Sequence, residues 1–218
     1  MKQQEFTEEL AEFLGVVLGD GNIYHKDSCC QLRIVGNKIK DKEYFIQRIL
    51  PLIEKLFEIK AKLREGKNNC IIAYVYNKSM IQKLENFGLQ PGNKLKNQVR
   101  IPEWIFNERK YIIACVRGLI DTDGCVFKKY AGPGRPQIEF YSGIKSLQAD
   151  FERAMRVVGV EGKWRKTKGR RADVFGIYKN SEVAKYKNIV GFHNNKHLKH
   201  FENERIVPRA VTTASAHE

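Results

Sequence analysis

Two aspartates in matching surroundings are the residues of this chain that could do chemistry. Asp20 follows an apolar stretch in the segment FLGVVLGDGNIY, residues 13–24, and Asp123 follows one in VRGLIDTDGCVF, residues 116–127. An ordinary turn is the alternative for each Asp-Gly pair. Two carboxylates brought together, however, suit a hard cation such as Mg²⁺, which keeps waters and takes further ligands from phosphates. Water activated by such a cation can attack a phosphodiester.

The helices that carry these acids must meet for this chemistry to occur. Gly15 and Gly19 lie four residues apart in the first segment, and Gly118 and Thr122 occupy the matching positions in the second. Small residues at this spacing share one helix face and let two helices approach closely. Helix C-termini carry partial negative charge, so paired carboxylates there need a cation. The sequence therefore predicts a metal centre where the two helices end.

The two segments belong to a duplication that spans the chain. Phe45 matches Phe151 and Lys94 matches Lys196, in the same order and at nearly the offset that separates the aspartates. Each copy reads helix, two strands, helix, two strands, then short helices. The predicted fold class is α+β, with tandem pseudo-two-fold αββαββα repeats and two antiparallel β-sheets. We expect an N-terminal half at residues 1–90, a connector at 91–107 and a C-terminal half at 108–218.

Element boundaries follow from the same periodicity. Helices are predicted at residues 8–18, 42–57 and 79–87 in the first half, and at 109–120, 146–158 and beyond 180 in the second. Strands are predicted at residues 22–26, 29–36, 61–64 and 70–77, and at 125–130, 136–141, 163–168 and 173–178.

The composition indicates a globular chain that binds a polyanion. Thirty-nine Lys and Arg against 25 Asp and Glu leave a formal charge of +14, which favours nucleic acid as the partner. No apolar run approaches the ~20 residues of a membrane span, and residues 1–12 lack a secretory-signal pattern. We therefore expect an intracellular protein, cytoplasmic or nucleoid-associated, without membrane contact. Five cysteines without a CxxC pair argue against a disulfide framework or a zinc-thiolate site.

Alternate residues of the predicted strands separate an apolar face from a polar one. The inward residues include Cys30, Leu32, Ile34, Ala61, Leu63, Ile138 and Phe140. Outward basic, amide, carboxylate and tyrosine side chains can hold phosphates or read base edges. A solvated sheet face is the alternative for any one strand, but the number of such strands and the charge favour DNA-binding saddles over a long double-stranded target. The candidate DNA-binding residues are Tyr24, Lys26, Gln31, Arg33, Lys62, Arg64, Tyr74, Tyr76, Arg135, Gln137, Glu139, Tyr141, Lys163, Arg165, Lys168, Arg170 and Arg171.

The two aspartate segments resemble the paired motifs of the single-chain LAGLIDADG homing endonucleases, and VRGLIDTDG is close to the sequence that names the family. The resemblance implies a monomeric, site-specific enzyme of intron homing that cuts both DNA strands across the minor groove and leaves short 3′ overhangs. An intron RNA maturase, or a catalytically inactive DNA-binding protein of the same fold, stays open as the alternative.

The resemblance also implies a metal centre and its ligands. Two or three Mg²⁺ ions, which Mn²⁺ or Ca²⁺ can replace, are expected to bind both motif acids and the backbone carbonyl oxygens of Gly19 and Thr122. A lysine after the last helix of each half is expected near the attacking water. The predicted catalytic residues are Asp20, Asp123, Lys94 and Lys196.

Two further features receive a structural interpretation. Asp121 occupies the first acidic position of the second motif but matches the apolar Leu18, so we expect it to be structural or solvated. His193, His197 and His200 have helical spacing but no acidic partner in a metal-binding motif, and we expect them to belong to a basic helix.

Overall fold

The computed structural model describes residues 6–26, 29–128, 135–167, 169 and 171–201. Over these residues it forms two copies of one unit. The first copy contains, in chain order, α1 (Glu8–Asp20), β1 (Gly21–Lys26), β2 (Cys29–Asn37), α2 (Lys42–Tyr44), a π-helical turn (Phe45–Ile49), α3 (Leu50–Phe57), β3 (Lys62–Glu65), β4 (Cys70–Tyr76) and α4 (Lys78–Asn86).

A short connecting region leads into the second copy, which repeats the order of the first. The connecting elements are α5 (Lys94–Asn97) and a 3₁₀ helix (Glu103–Asn107). None of the helices in the described ranges combines the length and the apolar character that crossing a membrane requires. The second copy contains α6 (Arg109–Asp123), β5 (Gly124–Lys128), β6 (Pro136–Ser142), α7 (Lys145–Val158), β7 (Lys163–Arg165), β8 (Asp173–Ile177), α8 (Asn180–Ile189) and α9 (Asn195–Leu198).

Each copy builds one four-stranded antiparallel sheet with the same topology. The strand orders are β1-β2-β4-β3 and β5-β6-β8-β7. The register pairs Asn22 with Arg33 in the first sheet and Cys125 with Glu139 in the second, so Arg33 and Glu139 hold equivalent positions. The predicted α+β class with two antiparallel sheets is confirmed.

Several predicted boundaries are corrected. Helices α1 and α6 continue through the motif aspartates instead of ending at residues 18 and 120. The helix predicted at 42–57 is interrupted by the π-helical turn, and the strand predicted at 163–168 ends at Arg165. The connector at 91–107 contains α5 because Asn93 accepts a hydrogen bond from the Lys96 amide and so caps a new helix.

Helices α1 and α6 pack against each other at the centre of the molecule. A Cβ added at Gly15 would collide with the carbonyl oxygen of Cys115, and one added at Gly118 would collide with that of Glu12. Gly19 faces the Thr122 side chain in the same way. The small residues predicted at this interface therefore set the distance between the two helices.

A buried carboxylate joins the two copies about two helical turns before the motif acid of α1. Glu12 is 1% exposed and accepts two hydrogen bonds from Arg48, at 2.7 and 2.6 Å. It also contacts Arg117 on α6 at 3.3 Å and Nδ1 of His193 at 2.8 Å. Burial would raise the pKa of Glu12, but the hydrogen bonds from Arg48 and His193 outweigh it and lower that pKa to about 2. Glu12 is therefore ionised and shared by both copies.

We expect alanine at Gly118 to destabilise the fold. The added methyl group must push α6 away from backbone atoms of α1, which places its cost at the upper end of the ~1–3 kcal/mol of an overpacked core. The helix propensity gained is only about 1 kcal/mol. Urea unfolding should therefore give a lower free energy of unfolding for Gly118→Ala.

Gly66→Ala is the matched control for this substitution, because a Cβ at Gly66 would meet no atom nearer than 3.5 Å. That variant should unfold close to the wild type. A Gly118→Ala variant as stable as Gly66→Ala would contradict the tight contact between the helices.

Candidate metal centre and nucleic-acid interface

The last residues of α1 and α6 bring the two aspartates together. A Cβ added at Gly19 would lie 3.6 Å from Oδ2 of Asp123, so the end of one helix reaches the carboxylate of the other. Burial, followed by the charge of Asp123, raises the pKa of Asp20 to about 7. Burial likewise raises the pKa of Asp123 to about 6. Two such carboxylates repel each other when ionised, and a bound cation would relieve that repulsion.

A lysine stands beside each helix end. Lys94 Nζ donates to the carbonyl oxygens of Leu18, at 2.8 Å, and Gly19, at 2.5 Å. Lys196 Nζ lies 3.5 Å from the carbonyl oxygen of Thr122. Burial lowers the pKa of Lys94, against the attraction of the two aspartates. All four residues predicted to be catalytic therefore converge with the two predicted carbonyl ligands, although their roles stay predictions.

The donors at this centre suit a hard divalent cation. Carboxylates and backbone carbonyls are oxygen ligands, which Mg²⁺, Mn²⁺ and Ca²⁺ prefer. The described part of the chain holds no group of three or more His, Cys, Asp or Glu that could bind a metal on its own. A cation here would complete its coordination with waters or phosphate oxygens, as Mg²⁺ commonly does.

One acid at this centre was missed by the sequence analysis. Asp41 is 6% exposed, and its Oδ1 accepts hydrogen bonds from Lys196 at 3.0 Å and from Asn194 at 2.9 Å. Burial opposes ionisation, but the charge of Lys196 and the Asn194 hydrogen bond lower the pKa of Asp41. An acid just before a helix is more typical of a cap, so its sequence position did not point to this role.

The two lysines are held differently, which makes the centre only approximately symmetric. Asn93 caps α5 by accepting a hydrogen bond from the Lys96 amide, three residues on, and Asn194 caps α9 by accepting one from the Lys196 amide, two residues on. Lys94 is the first residue after its cap, whereas Lys196 is the second. Lys94 contacts backbone carbonyls of its own copy, whereas Lys196 also pairs with Asp41 of the other copy.

Asp121 agrees with the structural alternative, whereas the histidines differ from the prediction. Asp121 is fully buried, and its Oδ2 accepts a hydrogen bond from the His193 amide at 2.9 Å. His193, His197 and His200 do not share a basic helix, since only His197 lies in α9. His197 is 2% exposed. Burial and the charge of the adjacent lysine lower its pKa to about 3, so His197 is a neutral core residue.

The strand faces alternate as predicted. In β2, Cys30, Leu32 and Ile34 are buried, whereas Gln31 and Arg33 are partly exposed. The predicted inward residues Ala61, Leu63, Ile138 and Phe140 all belong to the core or pack against it. The register and alternation place on the outer faces Tyr24, Lys26, Lys62, Arg64, Tyr74 and Tyr76 of the first copy and Gln137, Glu139, Tyr141, Lys163 and Arg165 of the second.

The remaining DNA-binding candidates lie in loops. Arg135 and Arg171 are exposed, directly before β6 and shortly before β8. Lys168 and Arg170 lie outside the described residues. The alternation predicted that the Glu139 side chain is exposed. It is instead 7% exposed, and neighbouring side chains bind it.

Comparisons with known proteins agree with this fold. Residues 110–204 match the family model of a LAGLIDADG-like domain. I-DmoI in complex with DNA and Ca has a similar structure, with a TM-score of 0.62 at 20% identity over 85% of this chain and 91% of that chain. The N-terminal LAGLIDADG domain of DUF199/WhiA gives a TM-score of 0.57 at 12% identity over 84% of this chain and 81% of that one. Residues 110–204 therefore match a LAGLIDADG-like domain, and the chain as a whole shares the fold of these solved structures.

A curated relative matches in sequence but is far longer. The replication factor C small subunit of Methanocaldococcus jannaschii is 29% identical over 162 residues. These cover 65% of this chain and 9% of that protein. The chain therefore spans only a small part of this relative.

We expect buried His197 to make the stability of the protein acid-sensitive. Its folded pKa of about 3 lies below the ordinary 6.5, so the unfolded chain takes up the proton first. The contribution of His197 to the free energy of unfolding therefore falls by about 2 kcal/mol between about pH 7 and about pH 5, whereas the raised pKa values of Asp20 and Asp123 act in the opposite direction.

Urea unfolding at these two pH values measures the loss. His197→Phe removes the titrating ring, so the change in its free energy of unfolding between these pH values should differ from that of the wild type by about 2 kcal/mol, in favour of the variant at about pH 5. An identical pH dependence for the two proteins would show that His197 is not held neutral.

Proposed function

We propose that this chain is a site-specific double-strand DNA endonuclease of the homing type that depends on a divalent cation. The observation that carries the proposal is the meeting of Asp20 and Asp123 at the ends of two closely packed helices. Paired, half-buried carboxylates at helix C-termini oppose folding, so their presence calls for a functional explanation. The likeness to I-DmoI, a homing endonuclease whose structures include complexes with DNA and Mn or Ca, supports this function.

The residues of the centre would have different roles in phosphodiester hydrolysis. Asp20 and Asp123 would hold the cations, with the carbonyl oxygens of Gly19 and Thr122 as further ligands. When bound, two or three Mg²⁺ ions, or Mn²⁺ or Ca²⁺ in their place, would supply an activated water and offset the charge of the scissile phosphate. The two lysines of the centre would orient water and stabilise negative charge, because each ammonium already lies at one helix end.

The duplicated architecture supports a monomer on a long duplex. One chain supplies both helices of the centre, so a second copy is not needed to assemble it. Residues 1–90 and 108–218, joined by the connector at 91–107, would each bind one half of the target. The basic outer faces of both sheets would hold the DNA. The centre formed by the two aspartates would cleave both strands across the minor groove and leave short 3′ overhangs.

Replacing either motif acid should abolish double-strand cleavage and spare DNA binding. Asp20→Asn and Asp123→Asn each remove a charged cation ligand at nearly constant size. Cleavage is measured on a pool of randomised duplexes with Mg²⁺ by sequencing the new ends, and binding by gel mobility shift. Glu161→Gln, at an acid whose side chain is 71% exposed, is the control and should cut normally.

Unchanged cleavage by either aspartate variant would refute this active centre. A wild type that binds duplexes but cuts none with Mg²⁺ or Mn²⁺ would instead identify a DNA-binding protein without catalysis. Preference for structured RNA over duplex DNA would favour the maturase.

Lys94→Met and Lys196→Met should slow the cutting of different strands. Each lysine lies at one helix end, and a positioned proton-transfer or charged group commonly contributes about 10²-fold or more. A duplex recovered from the cleavage pool, with each strand carrying its own dye, gives the two rates separately. Lys96→Met is the control, because Lys96 is exposed on the same short helix as Lys94. Equal slowing of both strands by each variant would rule out the assignment of one lysine to each strand.

A further inference from the structure

A cluster of polar side chains covers Glu139 on the outer face of the second sheet. Its Oε1 accepts hydrogen bonds from Nη2 of Arg165 at 2.9 Å and from the hydroxyl of Tyr178 at 2.6 Å. Its Oε2 accepts from the hydroxyl of Tyr141, and Nη2 of Arg165 also donates to the Tyr178 oxygen. Glu139 is 7% exposed, whereas the Arg165 side chain is 58% exposed. A buried carboxylate thus lies beneath an exposed guanidinium.

Gly176 makes room for this cluster. The register places Gly176 between Glu139 on β6 and Lys163 on β7. A Cβ at Gly176 would collide with the Tyr178 ring, so that ring folds back over the sheet at this point. The guanidinium carbon of Arg165 lies 4.9 Å from the centroid of the same ring. Arg165 is therefore held by a carboxylate, a hydroxyl and an aromatic ring together.

The first copy has a different arrangement at the equivalent positions. Arg64 lies 5.7 Å from the centroid of the Tyr74 ring and makes no hydrogen bond or ion pair with any residue that the structure describes. Tyr76 is 64% exposed. The registers of the two sheets match Arg33 with Glu139, Arg64 with Arg165, Tyr74 with Gly176 and Tyr76 with Tyr178.

We propose that Arg165 is a specificity-determining residue that reads a guanine in one half of the DNA target, and that Glu139 and Tyr178 are positioning residues that fix its guanidinium. The proposal rests on the proposed DNA-binding function. Arginine is the commonest reader of guanine in the major groove, where it donates to O6 and N7. Arg64, which lacks such supports, contributes electrostatic attraction to phosphates instead.

Two physical effects favour base reading by Arg165. A base edge must be met by donors at a defined place, whereas a phosphate contact tolerates a mobile side chain. The cluster fixes the Arg165 rotamer before DNA binds and so reduces the entropy lost on binding. The Glu139 carboxylate also offsets the charge of Arg165, which reduces its attraction for phosphates. Nη1 of Arg165 has no partner among the described residues, so it is available to donate to O6 or N7 of a guanine.

A binding selection from randomised duplex DNA, in EDTA to prevent cutting, tests the proposal. The wild type should enrich a guanine at one position of one half-site. Arg165→Gln should weaken that preference roughly tenfold or more, because glutamine matches adenine and not guanine, and Tyr178→Phe should weaken it at the same position by a smaller factor. Tyr178→Phe is the sharpest variant, because it keeps the ring over Gly176 and removes only the hydroxyl.

Matched variants in the first copy serve as controls. Arg64→Gln should lower affinity for all sequences and reduce the salt dependence by about one phosphate contact, without loss of preference at a single position. Tyr76→Phe removes the matched hydroxyl of the first copy and should not weaken the guanine preference in the other half-site, because Tyr76 lies in the first sheet. Glu139→Gln should repeat the effect of Tyr178→Phe, and thermal unfolding of each variant shows whether it is folded. Should Glu139→Gln fail to fold, Tyr178→Phe still decides the question.

The outcomes separate this proposal from the function on which it rests. A uniform loss of affinity in Arg165→Gln, or an unchanged guanine preference in folded Tyr178→Phe, overturns the reading role while leaving the endonuclease intact. A position-specific loss in Arg64→Gln overturns the difference between the copies. A wild type that enriches no sequence removes both the proposed function and this proposal.

Discussion

The contact between α1 and α6 is the constraint on which the rest of the structure depends. At Gly15 and Gly118 each helix lies against the backbone of the other, so the two helix axes approach closely. Both helices run on to the motif aspartates, and the same contact therefore sets the separation of the carboxylates. Strands β1 and β5 start at the very next residues, which anchors both sheets to this helix pair.

Polar contacts between the copies stabilise the packing of α1 against α6. Glu12 binds Arg48 of its own copy and Arg117 of the other. Asp41 of the first copy binds Lys196 of the second. A buried carboxylate that loses its basic partner side chain costs roughly 3–5 kcal/mol of stability. A shifted or separated helix pair would therefore be destabilised at Glu12 and at Asp41. The arrangement in which the aspartates meet is thus favoured by packing and by charge.

The sequence predicted the architecture well because its signals are local and occur twice. Helix periodicity, strand alternation and the small residues of each motif repeat in both copies, which allowed Asp20 and Asp123 to be paired without coordinates. Asp41 was not predictable because its partner lies in the other copy. The burial of Asp121 and His197 was not predictable either, since a polar residue type indicates exposure and only tertiary packing reverses it.

The two lysines of the centre show how much a comparison of the two copies can predict. Lys94 and Lys196 were matched by offset, and both do reach the centre. Their different distances from their helix caps, and the carboxylate that holds one of them, depend on contacts between the copies. A duplication predicts which residues correspond; it does not predict how far each pair has diverged.

The outer faces of the two sheets differ in how freely natural selection can alter them. Arg64 and Tyr76 are exposed, and their ring contacts are with Tyr74, so a single substitution there disturbs little else. In the second sheet, buried Glu139 pairs with Arg165, and a change at Arg165 leaves that carboxylate without its cationic partner. Effects of such linked residues are not additive. Evolution by single steps is therefore easier on the first sheet, whereas the second requires coordinated replacements and will retain its side chains longer.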